Sequence, residues 1–278
     1  MTRPTALAPH RLVLPAAELG HLLDVLQCDL PPSWRASAPA PAPEQTAACR
    51  RGLVQRRAMM AEGDGKAAVN PSVAMNLQVL THPQAMLATS AHIGSRAVQC
   101  LHAISGIFGA SLFRLDGNQL ELSFFRAVDL GKELARAVPP ESEHAPDLAK
   151  LFGDEPREPL AGALPLRAVE ELGLAVTLRS ADPPGVGAVL EALALPQEQA
   201  RLASRLADET DGLLTCDLTG RSASGPLVDR IVWLHAGNSW LGLRPDNGPD
   251  GEHLVRLEPT QPGSLGVWAA GFLASILS

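Results

Sequence analysis

The chain of 278 residues contains no tyrosine at all, and its aromatic content is only 4%. Its core must therefore be built mostly from Leu, Val and Ala, which bring less apolar area per residue than aromatic rings. Lysine is nearly missing too, with Lys66, Lys132 and Lys150 alone, so arginine dominates the cations. Together with the load of Ala, Pro and Gly, this reflects a GC-rich bacterial genome rather than a physical requirement. No positive excess exists: the net charge is −7, and an acidic chain does not attract a polyanion. Nucleic acid is therefore not an expected partner. The local cluster Arg50, Arg51, Arg56 and Arg57 reads as a solvated helix face balanced by acids elsewhere.

Long apolar runs are missing. No window reaches the ~18–20 residues of a membrane span, and no charged start precedes an apolar stretch, so neither a span nor a signal peptide is expected. The cysteines Cys28, Cys49, Cys100 and Cys216 lie far apart without a C-x-x-C pair, which predicts free, buried thiols in a reducing cytoplasm. The motifs of catalysis are missing as well. There is no G-x-S-x-G elbow, no P-loop, no H-E-x-x-H and no G-x-G-x-x-G. Gly106-Ile107-Phe108-Gly109 is a turn between strands, since no helix start follows it.

What is present is a repeat. Each half reads as a helical stretch, about four short strands and a closing amphipathic helix. The first-half strands are Met86–Thr89, Ala97–Leu101, Ser111–Arg114 and Gln119–Phe124, followed by a helix from about Asp129 to Val138. The second-half strands are Leu213–Cys216, Arg230–Leu234, Ser239–Arg244 and His253–Leu257, followed by a helix from Pro262 to Leu277. Arg114 and Arg244 become equivalent, a spacing of roughly 130 residues, too long for a solenoid and right for a duplicated β4α unit. The expected fold is thus α/β in the broad sense, α+β in detail. It is a single pseudo-two-fold body over residues 1–278 with an antiparallel sheet, one continuous core, and halves of about 1–138 and 139–278.

Around this frame, Leu12-Val13-Leu14 is a short strand, and Pro15 opens a helix with Leu19, Leu22, Leu23 and Leu26 on one face. Ala36 to Pro43 reads as an exposed polyproline-like loop. A second helix is expected from near Glu44 to about Glu62, then a turn at Gly63-Asp64-Gly65. Asn70-Pro71 is a capped helix start, and His82-Pro83 its end. Asp116-Gly117 is a hairpin turn. The acidic, Pro-rich stretch Pro139–Pro165 joins the halves, with one short helix around Asp147–Phe152. Helices follow over Leu166–Leu172, Pro184–Leu195 and Pro196–Asp208.

Few residues are placed to do chemistry. Cys100 and His102 share a strand face, but the nearest acids, Asp116 and Glu121, belong to other strands, so no metal is expected. His82, His92, His102 and His235 read as turn and sheet-surface histidines. Asp208, Glu209 and Asp211 form an acidic corner that a charged helix end explains. The helices Leu166–Leu172 and Val186–Leu193 have no strand beside them in sequence, and any apolar surface they leave uncovered is a docking site for a partner helix.

At this point the chain resembles the EspG-type chaperones of bacterial type VII (ESX) secretion. The likeness rests on Leu12-Val13-Leu14-Pro15-Ala16-Ala17-Glu18-Leu19 with the stop Leu30-Pro31-Pro32. It rests also on Gly52-Leu53, the capped helix Asn70–Leu80 leading into Thr81-His82-Pro83, and the terminal Leu254-Val255-Arg256-Leu257-Glu258-Pro259 before the last helix. The order of elements matches over nearly the whole chain. The resemblance implies a cytosolic, non-enzymatic actinobacterial protein with no cofactor. It implies a helical secreted partner, PE/PPE-like or WXG-like, whose apolar end is shielded until export. It also implies that the partner contacts a loop between early strands and the second-half helical bundle. Here these are Ile93, Gly94 and Ser95, a loop shorter than the family's, with Leu166, Val169, Leu172, Val186, Val189 and Leu193. Two other classes stand beside this reading. One is a hydrolase or transferase with a dispersed site, which needs a polar pocket around His92, His102 and Asp116. The other is a homo-oligomeric interaction protein joined through sheet edges.

Overall fold

Pro15 closes a strand, β1 (His10–Pro15), and the apolar stripe behind it forms helix α1 (Ala16–Leu26), ended by Gln27 in the left-handed region. The structure is a computed structural model that describes residues 10–61, 67–140, 160–178 and 183–277. Next come α2 (Pro32–Arg35) and α3 (Thr46–Gln55), the latter entered through a 3-10 turn. The helix expected to run to Glu62 stops at Gln55. Arg57 takes φ of 61°, which reverses the chain into β2 (Met59–Ala61), paired with β3 (Ala67–Val69). The reversal drives Ala58 and Met59 into the core. The expected Gly63–Gly65 turn lies outside the described residues.

Asn70 caps α4 (Pro71–Thr81) as its sequence predicts, its side chain accepting from the Ser72 amide at 3.0 Å. Four strands follow: β4 (Ala85–Ile93), β5 (Arg96–Ser105), β6 (Phe108–Leu115) and β7 (Gln119–Arg126). A 3-10 turn then leads into α5 (Leu130–Arg136). In the second half β8 (Gly162–Pro165) precedes α6 (Leu166–Leu178), α7 (Pro183–Ala192) and α8 (Gln197–Glu209). Then come β9 (Thr210–Ser222), β10 (Gly225–Ala236), β11 (Ser239–Asn247) and β12 (His253–Thr260), a 3-10 turn, and α9 (Leu265–Leu277). The end of the joining stretch is thus a strand rather than a loop. The short helix expected at Asp147–Phe152 lies outside the described residues.

All ten large-sheet strands pair antiparallel, in the order β1-β7-β6-β5-β4-β9-β10-β11-β12-β8. Read from either edge, the order repeats the same sequence of elements and meets at the β4–β9 seam, where Thr89 lies opposite Cys216. The pairing between β10 and β11 covers only Trp233–Ala236 against Ser239–Gly242. From Gly225 to Val232, β10 therefore projects without β11 beside it. There the Arg230 amide donates to the Asp229 carboxylate at 2.8 Å.

Alternation sorts the strand side chains onto two faces. On one face lie α5 and α9, and the core beneath them draws on both halves: Leu87, Leu134, Leu214, Trp233, Trp240 and Leu265 belong to a single cluster. At its centre the helices approach so closely that a side chain on Gly266 would meet Gly131 Cα at 3.0 Å. The opposite face has two separate cores. α1, α3 and α4 cover the first half, and α6, α7 and α8 the second. The expectation of one continuous core therefore holds on one face only, because a ten-stranded sheet separates its two sides. The loop Ala36–Pro43 is also less exposed than its composition predicts. Ala38 is fully buried, and the Pro39 carbonyl sits where a side chain on Gly20 would be.

Candidate functional site

The β4–β5 turn, α6 and α8 surround a concavity of the second half. Gly94 and Ser95 make a two-residue turn, with Gly94 at φ of 55° and its amide donating to the Asp211 carbonyl at 2.9 Å. Ile93, just before it, is buried in the core shared by both halves. Of the expected contact loop, then, Gly94 and Ser95 are exposed and Ile93 is an anchor.

Beside this turn, α6 and α8 stand off the sheet and leave a cavity of about 620 Å3. Val169, Leu172 and Gly173 line it from α6, and Leu206 from α8. Leu213, Val232, Leu234, Leu243 and Leu257 line it from four strands of the sheet. Its polar end is made by His92, Thr210 and Asp211. Two of the expected helix positions, Val169 and Leu172, are thus brought together with the neighbour of the β4–β5 turn. Leu166 is exposed at the start of α6. Val189 and Leu193 border a smaller cleft of about 240 Å3 with Arg167, Glu171 and Ala192. Val186 and Leu193 are 8% and 6% exposed and belong to the second-half core, so they brace α7 rather than present it.

The structure separates His92, His102 and Asp116, the residues around which the enzyme reading expects a polar pocket. His92 is exposed at the cavity, whereas His102 is fully buried on the other face. Asp116 is exposed at the turn between β6 and β7. The expectation of sheet-surface histidines fails for His102 and His235, which are both buried; His82 and His92 are exposed. His102 has Cys100 Sγ at 3.7 Å from its Nδ1 and packs edge-on to Phe113. Burial lowers its pKa to about 4 and pushes the Cys100 thiol up, so both groups are neutral. Among the described residues, no group of three or more His, Cys, Asp or Glu side chains is arranged to hold a metal ion.

A buried ionic network under α5 was not legible in the sequence. Glu133, 4% exposed, accepts from Arg136 at 2.8 Å, Arg11 at 3.2 Å and Ser111 at 3.4 Å, and Arg136 also binds Glu121. The Arg136 guanidinium lies 4.5 Å from the centre of the Phe113 ring. Under α9 the equivalent space is aromatic. Trp268 meets Trp233 edge-on at 5.8 Å, with Arg244 stacked 3.7 Å above its ring. The acidic corner is internally paired, with Glu209 to Arg205 at 3.0 Å and Asp211 to His235 Nδ1 at 2.5 Å. Arg56 of the arginine cluster pairs with Glu18 at 3.1 Å, while Arg50 and Arg51 are exposed.

Among the described residues, no helix is long and apolar enough to cross a membrane. No family model matches the sequence, and no curated protein does. The fold, by contrast, has a clear counterpart among solved structures. The chain is similar to the type VII secretion system chaperone EspG5 of Mycobacterium tuberculosis, solved in complex with a PE25-PPE41 dimer. The TM-score is 0.62, with 96% of this chain and 97% of that chain covered, at 14% sequence identity. The protein therefore has the fold of a type VII secretion chaperone.

Proposed function

We propose that the protein is a cytoplasmic chaperone or adaptor that holds a helical secretion substrate, PE/PPE-like or WXG-like, before export, and that it performs no catalysis. The observation that carries this reading is the likeness to EspG5 over nearly all of both chains. The geometry supports a docking surface made of the exposed turn Gly94-Ser95, Leu166 at the start of α6, and the half-buried Val189 of α7. Ile93, Leu172, Val186 and Leu193 lie behind it and set its shape. A helix laid here covers apolar side chains already ordered in the free chain, so little conformational entropy is lost on binding.

The test is co-expression with helical secretion substrates, followed by co-purification and a melting curve of each variant. Leu166→Asp and Val189→Asp place a carboxylate against an apolar helix and should each weaken capture by several kcal/mol while the variants stay folded. Folded variants that capture substrate as well as the parent remove this surface from the proposal. A chain that sediments as a two-fold dimer and captures no helical partner replaces it with the oligomeric reading.

A further inference from the structure

The cavity behind α6 has a specific origin in the sequence. Both halves enter their first helix through a strand that ends in proline: Leu14-Pro15 before α1 and Leu164-Pro165 before α6, each leucine fully buried. Counted from those prolines, Leu19, Leu22 and Leu23 of α1 correspond to Val169, Leu172 and Gly173 of α6. The three α1 leucines are completely buried. On α6 the same positions are smaller by one methylene and one whole side chain, and the cavity opens beside them. Gly173 itself is exposed, and a side chain built on it meets nothing within 4 Å, so the cavity is reached past this residue.

We infer that this cavity binds a single-chain aliphatic amphiphile, with the tail between α6 and the sheet and a hydrogen-bond-donating, uncharged or cationic head at Asp211. About 620 Å3 is far more than one partner side chain fills and falls in the range of roughly 300–1,000 Å3 typical of small-molecule sites. Among the described residues the apolar walls are Val and Leu, without a Phe or Trp ring, which suits a flexible alkyl chain better than a planar ligand. The polar groups are confined to one end, where His92, Thr210 and Asp211 meet beside the β4–β5 turn. Asp211 is half-exposed, and one of its carboxylate oxygens already meets His235 Nδ1 at 2.5 Å; the carboxylate at this end disfavours a carboxylate head and favours a hydroxyl or ammonium.

The experiment titrates the purified full-length chain with dodecanol, dodecylamine and dodecanoate, three ligands with one tail and different heads. All are kept below their micellar concentrations, and binding is followed by calorimetry and by the melting temperature. Dodecanol and dodecylamine should bind one per chain and raise the melting temperature, and dodecanoate should bind roughly tenfold more weakly or worse. Gly173→Leu, which restores the side chain found on α1, should abolish binding of all three. Val169→Phe, which fills the cavity from a different position, serves as the second variant should the first fail to fold. Absence of binding, or equal binding by the parent and a folded cavity-filled variant, overturns the proposal. Tighter binding of dodecanoate overturns the assignment of the head. None of these outcomes depends on whether a helical partner docks outside.

Discussion

Helix α1 sets Leu19, Leu22 and Leu23 against the sheet with none of them exposed, and Gly20 lets the Pro39 carbonyl close in behind. Helix α6 leaves its strand through the same proline joint, yet offers Val169, Leu172 and Gly173 over an empty volume. The same scaffold thus carries a filled layer on one half and a hollow one on the other. The other face repeats the contrast in a different chemistry. α5 meets the sheet through its own Glu133 and Arg136, which bond Arg11, Ser111 and Glu121, and α9 meets it through Trp268 packed on Trp233. Strand order is shared between the halves, but what the helices meet is not. In a duplicated fold, one copy can keep a dense core and so free the other for binding.

The strongest way to break the comparison is to hollow the filled half. Leu23→Gly should destabilise the fold by about 4–6 kcal/mol, the cost of a buried leucine and its cavity plus that of a helix-interior glycine. Urea unfolding measures it. A loss of less than about 1 kcal/mol means that the first-half core is as loosely packed as the second, and the contrast falls.

The polar layer under α5 makes a pH prediction. His102 is neutral in the fold, with a pKa near 4, and the unfolded chain titrates it near 6.5. A depressed folded value means stability that is complete above pH 6.5 and is lost as pH falls toward 4, by about 3 kcal/mol in all. His102→Gln should flatten that part of the stability–pH profile. An unchanged slope would assign the acid sensitivity to another group.

The aromatic layer is sharpened by Gly242. A side chain there would lie 2.3 Å from the Trp268 ring, so Gly242→Ala must displace the indole and should cost about 1–3 kcal/mol. A near-UV circular dichroism change in the same variant would locate the strain at the tryptophans. The smallest effect is expected on α6, where Gly173→Ala should stabilise by about 1 kcal/mol, since a methyl meets nothing and helix-interior glycine is unfavourable. A destabilised Gly173→Ala would mean that the helix needs backbone freedom at that position.

Much of the frame can be read from residues alone. β4–β7 and β9–β12 announce themselves by alternation, and Asn70-Pro71 by its cap. The misses are local conflicts settled at a distance. Nothing in Met59-Met60-Ala61 opposes a helix. Only the left-handed Arg57 and the burial of Ala58 and Met59 turn it into a strand. Gly162–Pro165 is too short to alternate, and its pairing with β12 makes it a strand. The expected contact residues divided in the same way. Periodicity set Val186, Val189 and Leu193 on one stripe and the resemblance joined Val169 and Leu172 to them, but neither says which stripe faces inward. The cavity left one trace, a glycine in mid-helix where the other half has leucine, and it becomes readable only when the two halves are aligned.

The projecting part of β10 bears on how the molecule avoids pairing with other chains. Gly225–Val232 offers an edge that another strand could zip onto. Pro226 deprives the edge of one amide, and Asp229 turns its carboxylate back onto the Arg230 amide. With those two donors withdrawn, the arm gives an incoming β-segment no continuous ladder, which works against strand-driven aggregation.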